Sequence, residues 1–371
     1  MKLLSKRTEI RGRRSVRPKC GYVLEAPLKP PLKPSPATRL SVVFLILCLA
    51  ACSHSHSQAK TADPLPLELR FQLSTPFNFV ACGDSRFHDP KDIETANPLA
   101  RQEIVKAIAG ENPAFISFGG DIVYHGDDPD DWNVWDSETK VWRANKIPVI
   151  PALGNHDLHG DEQRALANYF QRFPDLENNR YYSLRAANIL MLVLDSSLDE
   201  TSGPQGIWLK RKLQEIPVEV EFIFVVLHHP PYTSSSDAKA LGGGHSARTP
   251  EQQLAMLLEA RQRDIRAGIV VFSGHVHNYE RHEHGGVTYF VTGGAGAHAY
   301  PIARAPGDPF QSKEINYHYL LVKVDRGVVN VIMRRVDFRT GLPVWTQPDS
   351  VSIFARVAAS QGSTALPPQT R

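Results

Sequence analysis

FISFGGDIVYHGD (Phe115–Asp127) and PVIPALGNHD (Pro148–Asp157) read as two versions of one device. Each begins as a short apolar run and stops at glycine. Phe115, Ile116 and Phe118 run into Gly119-Gly120, while Val149, Ile150, Ala152 and Leu153 run into Gly154. Polar residues follow at once, Asp121 in the first and Asn155, His156 and Asp157 in the second. Buried strands of an α/β sheet have this form, and ligands bind beyond the carboxyl ends of such strands. Glycine lets the backbone turn sharply where ligand groups must come close. A carboxylate, a carboxamide oxygen and an imidazole presented together make metal-site chemistry. Either half alone is weak, because Gly-Asp and Gly-Asn are also ordinary turn pairs.

The same form recurs along the chain. Phe77–Gly83 (FNFVACG) leads into Asp84-Ser85-Arg86, Phe222–Leu227 (FIFVVL) into His228-His229-Pro230-Pro231, and Ile269–Phe272 into Ser273-Gly274-His275-Val276-His277. Five strand ends therefore carry ligand-type residues: Asp84; Asp121 with Tyr124; Asn155 with His156; His228; and His275 with His277. In an extended segment residues i and i+2 point the same way, so His275 and His277 can face one site. A single zinc site takes only three or four protein ligands, and this set is larger. It suits two cations, which at a separation of ~3.5–4 Å need a shared carboxylate between them. Asp121 is the natural bridge.

The rest of the chain frames that centre. Its 371 residues, 42% hydrophobic and 22% charged, are those of a globular protein of one large domain or two, and the absence of an internal repeat or long flexible stretch favours one. The net charge of +3 conceals an asymmetry: residues 1–51 hold 11 basic and 2 acidic residues, leaving 31 and 37 for the remainder. The basic character belongs to the leader, and nothing points to nucleic acid as a partner. Met1–Arg39 is basic and proline-rich. Leu40–Ala51 is a 12-residue apolar run, shorter than the ~20 residues a membrane span needs and of the length of a signal-peptide core. Leu49-Ala50-Ala51-Cys52 resembles a bacterial lipobox, which implies cleavage before Cys52, its lipidation, and an extracytoplasmic, membrane-anchored chain. Residues 52–70 read as a tether, 71–355 as the folded domain and 356–371 as a loose tail. Cys82 is expected to be a buried apolar residue, since no partner for a disulfide framework exists. Helices are expected at Asn97–Ala109, Asp128–Ala144, Asp161–Phe173, Pro204–Ile216 and Pro250–Arg263, with further strands at 181–184, 189–194, 287–292, 319–324 and 328–336.

The ordered set Gly83-Asp84, Gly120-Asp121, Gly154–Asp157, His228-His229-Pro230 and Gly274–His277 resembles that of the calcineurin-like metallophosphoesterases. The resemblance covers roughly residues 77–300. It implies an α/β fold built as a two-sheet β-sandwich flanked by helices, with metals at the strand ends. Most of that family carries a histidine two residues after the first aspartate; here the triplet is Asp84-Ser85-Arg86. The purple acid phosphatase branch also lacks it and has a tyrosine three residues after the bridging aspartate, as Tyr124 stands to Asp121. GHVHNYER (Gly274–Arg281) is similar to that branch too.

By this resemblance one metal takes Asp84, Asp121, Tyr124 and His277, and the other Asp121, Asn155, His228 and His275. The pair would be iron with zinc, manganese or a second iron. His156 is implied to contact the phosphate and assist the leaving group while a metal-bound hydroxide attacks phosphorus. Asp157 is expected to orient His156. Tyr124 reads either as a ligand or as an aromatic packed beside the strand end. Arg86, a planar donor fork, is a candidate for the substrate phosphate. His229 is expected to be structural, and His245, in a glycine-rich loop, reads equally as a substrate contact or an exposed residue. The expectation is a phosphomonoesterase of the acid phosphatase type. The alternatives are a phosphodiesterase of the same fold and a lipoprotein that binds metal or phosphate without catalysis.

Overall fold

The structure is a computed structural model, and it describes residues 66–235 and 245–356. The leader, Cys52 with its expected lipidation, and the end of the tail lie outside the described residues. No helix among the described residues is long and apolar enough to cross a membrane.

Two seven-stranded sheets face each other. The first comprises β1 (Glu68–Phe71), β5 (Tyr182–Ala186), β6 (Ile189–Val193), β7 (Phe222–Val226), β8 (Gly268–Ser273), β10 (Val287–Thr292) and β9 (Tyr279–His284), in that spatial order. The second runs β13 (Val344–Thr346), β12 (Val328–Asp337), β11 (Tyr317–Asp325), β2 (Phe77–Cys82), β3 (Ile116–Phe118) and β4 (Val149–Pro151), with β14 (Ser350–Phe354) also paired to β12. In the first sheet β6, β7, β8 and β10 are mutually parallel neighbours; in the second β2, β3 and β4 are.

Alternation along β6 shows why these strands are apolar throughout. Ile189, Met191 and Val193 join the core between the sheets, and Leu190 and Leu192 join a second core on the outer face. Each face is covered, so no position is left for a polar side chain. Phe79 of β2 meets Phe224 of β7 edge-on at 5.1 Å, which locks one sheet to the other. Helices α5 (Gly203–Gln214) and α6 (Thr249–Asp264) supply Trp208, Leu209, Leu254 and Leu258 to the outer core. Across the molecule, α1 (Pro98–Gly110) contributes Ile104 and Ile108, and α2 (Pro129–Glu138) contributes Trp132 and Trp135.

The layered two-sheet architecture is the one expected. Three details differ. The segment expected as one helix over 128–144 is two, α2 and α3 (Lys140–Ala144), parted at Thr139, whose hydroxyl donates to the Trp135 carbonyl at 2.6 Å. The fold begins earlier than residue 71, because β1 lies inside the expected tether and pairs with β5. Strand β9, with the sequence YERHEH, has no apolar signature and pairs with β10 through its backbone. Helix α4 (Glu162–Arg172) starts as expected at Asp161, whose carboxylate accepts the Arg164 amide. Cys82 is buried, which pushes its thiol pKa up.

Candidate metal centre

Strands β2, β3 and β4 of one sheet and β7 and β8 of the other end at one edge of the sandwich, and their following residues meet there. Four of these residues adopt left-handed backbone without being glycine: Asp84 at φ 59°, Arg86 at φ 45°, Asp121 at φ 52° and His275 at φ 69°. Such strain clusters where a site must hold a side chain in one direction. The two turns approach so closely that a Cβ on Gly154 would lie 2.3 Å from Asp121 Oδ1, and one on Gly274 2.3 Å from Asp84 Oδ2. These glycines are therefore demanded by close approach.

Four ligand-type atoms converge on one point. His228 Nδ1 lies 2.9 Å from the Gly119 carbonyl, which only an Nδ1–H can bond, so Nε2 turns its lone pair toward the site. That Nε2 stands 3.0 Å from Asn155 Oδ1, 3.3 Å from His275 Nδ1 and 3.3 Å from Asp121 Oδ1. Asn155 Oδ1 is in turn 3.2 Å from His275 Nδ1. His228 Nε2, Asn155 Oδ1 and Asp121 Oδ1 turn lone pairs toward one another, and a cation among them would offset their repulsion. The second gathering has the same logic. His277 directs Nδ1–H to the His298 carbonyl at 2.9 Å, and its buried Nε2 has no hydrogen-bond partner among the described residues. It faces Asp84 Oδ1 at 3.6 Å. Second-group bonds of this kind fix the tautomer of metal-binding histidines. Asp84, Asp121 and His228 place one ligand atom each within 4.8 Å of one another. The donor set fits two cations, on the grounds of an orphaned buried imidazole nitrogen and a nest of acceptors.

Electrostatics agree. Burial, with Asp121 next, raises the pKa of Asp84, whereas Asp121 is held low despite its burial by His228, His156 and Arg86. Burial holds the pKa of His228 and of His277 below its ordinary value, which keeps both imidazoles neutral and able to coordinate.

His156 lies at the rim. Its Nδ1 donates to the Tyr124 carbonyl at 2.7 Å, its ring stacks on Tyr124 at 5.1 Å, and its amide donates to Asp121 Oδ1 at 2.9 Å. Burial lowers its pKa to about 4. Asp157 corrects the expectation that it orients this imidazole. Its Oδ1 accepts the amides of Ile122 and Val123 at 2.9 and 3.2 Å, and its Oδ2 that of Gly154 at 2.9 Å. It ties the turn after β3 to the turn after β4, and burial pushes its pKa up to about 8 against those three amides.

Arg86 directs Nη2 to Asp121 Oδ2 at 3.3 Å, while its buried Nε has no hydrogen-bond partner among the described residues. Its guanidinium lies 5.9 Å from the Tyr124 ring. Tyr124 is half-buried and packs against His156 and, at 4.3 Å, His125. His229, expected to be structural, bonds Ser196 Oγ at 2.8 Å yet also packs on His275 with ring centres 4.3 Å apart. His245 reaches the site: it stacks on His275 at 4.9 Å and its Nδ1 is 2.9 Å from the Tyr300 hydroxyl. Tyr300 and the carbonyls of Gly119 and His298 escaped sequence reasoning. Tyr300 follows no strand end, and a carbonyl leaves no trace in residue type.

Known proteins carry the same signals. A model of the calcineurin-like phosphoesterase family matches residues 77–279, more than half of the chain. Purple acid phosphatase 23 of Arabidopsis thaliana is 28% identical over 158 residues, covering 40% of this chain and 32% of that protein. Purple acid phosphatase 22 of the same plant is 32% identical over 160 residues, 40% of this chain and 35% of that one. A phosphoenolpyruvate phosphatase of Allium cepa is 25% identical over 228 residues, 56% of this chain and 44% of that one. The chain thus spans about a third to under half of the length of these curated relatives. Among solved structures, a purple acid phosphatase from yellow lupin (Lupinus luteus) superposes with a TM-score of 0.59 at 15% identity, over 77% of this chain and 55% of that chain, a likeness of fold. The chain belongs to the calcineurin-like phosphoesterase family, in its purple acid phosphatase-like branch.

Proposed function

We propose that this chain is a binuclear metal-dependent phosphohydrolase acting on phosphate monoesters. The observation that carries the reading is the convergence of His228 Nε2, Asn155 Oδ1, His275 Nδ1 and Asp121 Oδ1 beside an Asp84–His277 pair whose Nε2 is orphaned. Asp84, Asp121 and His277, with the Tyr124 phenolate completing the set, would hold one ion; Asp121, Asn155, His228 and His275 would hold the other. Phenolate is a hard donor and suits ferric iron at the first position, with zinc, manganese or iron at the second. Two such ions, when bound, polarise phosphate oxygens and lower the pKa of water.

The chain's own residues do the rest. Asp121 would bridge the two ions, since it, Asp84 and His228 offer ligand atoms within 4.8 Å of one another. Arg86 offers a buried N–H with no partner, which a phosphate oxygen would satisfy. His156 keeps Nδ1–H on the Tyr124 carbonyl, so Nε2 is the position that holds or releases a proton. With its pKa lowered to about 4 it is neutral at pH 7, and a phosphate dianion bound against it would raise its proton affinity. Only the protonated ring can donate to a departing alkoxide, so phosphate binding favours the form that the step requires. The names of the relatives, phosphatases all, support the monoester over the diester.

Hydrolysis of an aryl phosphate and of the corresponding diaryl phosphate, by metal-depleted and reconstituted protein, tests the proposal. Metal-dependent turnover that favours the monoester is the expected result. Preference for the diester, or no turnover with both ions bound, would overturn it.

A further inference from the structure

His88, His125 and Asp131 form a second cluster of ligand-type side chains beside the centre just described. One atom from each lies within 4.8 Å of the others. They come from three elements: the turn after β2, the turn after β3, and the first turn of α2. The backbone holds them rigidly. Phe87 and Val123 form a parallel bridge, with the Phe87 amide donating to the Ile122 carbonyl at 2.8 Å and the Tyr124 amide to the Phe87 carbonyl at 3.3 Å. The two turns therefore run side by side and set the rings of His88 and His125 6.3 Å apart. Trp132 Nε1 donates to the Gly126 carbonyl at 2.8 Å, fastening α2 to the same turn.

Asp131 is the buried member, its side chain 3% exposed. Oδ1 lies 2.5 Å from His88 Nδ1, and Oδ2 lies 3.8 Å from His125 Nδ1 while accepting the His125 amide at 2.8 Å. On the far side of His88, Nε2 stands 3.4 Å from Asp92 Oδ2. Asp92 is itself fixed, since its Oδ1 accepts the amides of Glu94 and Thr95 at 3.1 Å each. A carboxylate on one imidazole nitrogen, with the other nitrogen turned to a second carboxylate and a neighbouring imidazole, is the arrangement that orients a metal-binding histidine.

We propose that His88, His125 and Asp131 hold a third divalent cation, separate from the central pair and exchangeable. Two nitrogens and one carboxylate oxygen suit a borderline ion such as zinc, which takes three protein ligands where a fourth position stays open. The open side is that of His125, whose side chain is 36% exposed. The fourth ligand is water or an anionic group of a bound molecule. The site adjoins the catalytic mouth, because the Tyr124 ring lies 5.1 Å from that of His88 and 5.1 Å from that of His156. The competing occupant is a proton: an imidazolium at His88 bridging Asp92 and Asp131 would satisfy the same distances. The count of a third ion rests on the binuclear centre proposed above, whereas the response of His88 and His125 themselves does not.

The test uses the full chain with its central pair loaded and excess metal removed, in a His54→Ala/His56→Ala background so that the tether imidazoles bind nothing. Zinc is titrated in and bound metal counted by equilibrium dialysis. A third equivalent per chain is expected, absent in His88→Gln and in His125→Gln. Cobalt added to the same loaded protein should shift the imidazole proton resonances of His88 and His125, a readout that needs no substitution at the site and survives a variant that fails to fold. A chain that stops at two ions, a third equivalent that persists in both variants, or unshifted His88 and His125 resonances would overturn the proposal.

Discussion

The centre and the rim of this site are built on opposite principles. At the centre, Asp84, Asp121, His228 and His277 are buried, and main-chain carbonyls fix the Asp84 amide and the rings of His228 and His277. At the rim, Tyr124, His125, His156, His159 and His245 are half-buried or exposed and hold one another by ring packing, Tyr124 on His156 and His125 on His159 at 4.7 Å. Buried carboxylates set beside neutral imidazole nitrogens favour a cation among them, whereas the rings at the open edge pack on one another. The centre is therefore organised for ions and the rim for what comes and goes.

Breaking the centre should cost most. Asp121→Asn removes the carboxylate proposed to bridge the ions, so both should be lost together and turnover should fall to background; elemental analysis beside an aryl phosphate assay checks this. His156→Ala acts at the rim and should leave both ions in place. Its kcat should drop by about 10²–10⁴, the range of general acid catalysis, and by less for substrates with good leaving groups. Equal losses for aryl and alkyl phosphates would reduce His156 to a phosphate contact.

Two further substitutions sharpen the boundary. Asp157→Asn keeps an acceptor for Ile122 and Val123 but sets an amide N–H against that of Gly154. Metal affinity should fall by about 10–100-fold, as for other groups that hold ligands in place. Stability in urea should fall by about 1–3 kcal/mol, the cost of one unsatisfied buried donor. If Asp157 instead oriented His156, kcat would change with metal affinity intact. Tyr124→Phe has the smallest effect on folding, since ring packing is kept. Under a ligand role the iron-loaded protein is coloured and the variant bleaches; a colourless wild type with ferric ion bound would exclude that role.

Much of this was legible in the sequence, and the pattern of what was not is physical. Strand-end residues could be read because a fully apolar run ending at glycine has few other uses, as in Phe222–Leu227 before His228. Residues that act through backbone could not. Asp157 follows His156 directly, and only the positions of the Ile122, Val123 and Gly154 amides show that it serves the turns. His88, His125 and Asp131 end no common motif; three separate elements bring them together. Strand β9 was missed because its pairing with β10 uses main-chain groups, and its charged side chains carry no β signature.

The central claim is that two cations flank Asp121, and anomalous scattering from crystals of the iron- and zinc-loaded protein tests it most directly. The account predicts two peaks about 3.5–4 Å apart with the Asp121 carboxylate between them, one beside Asp84 and His277 and the other beside Asn155, His228 and His275. A single peak, or none, in a protein that still hydrolyses an aryl phosphate would contradict it.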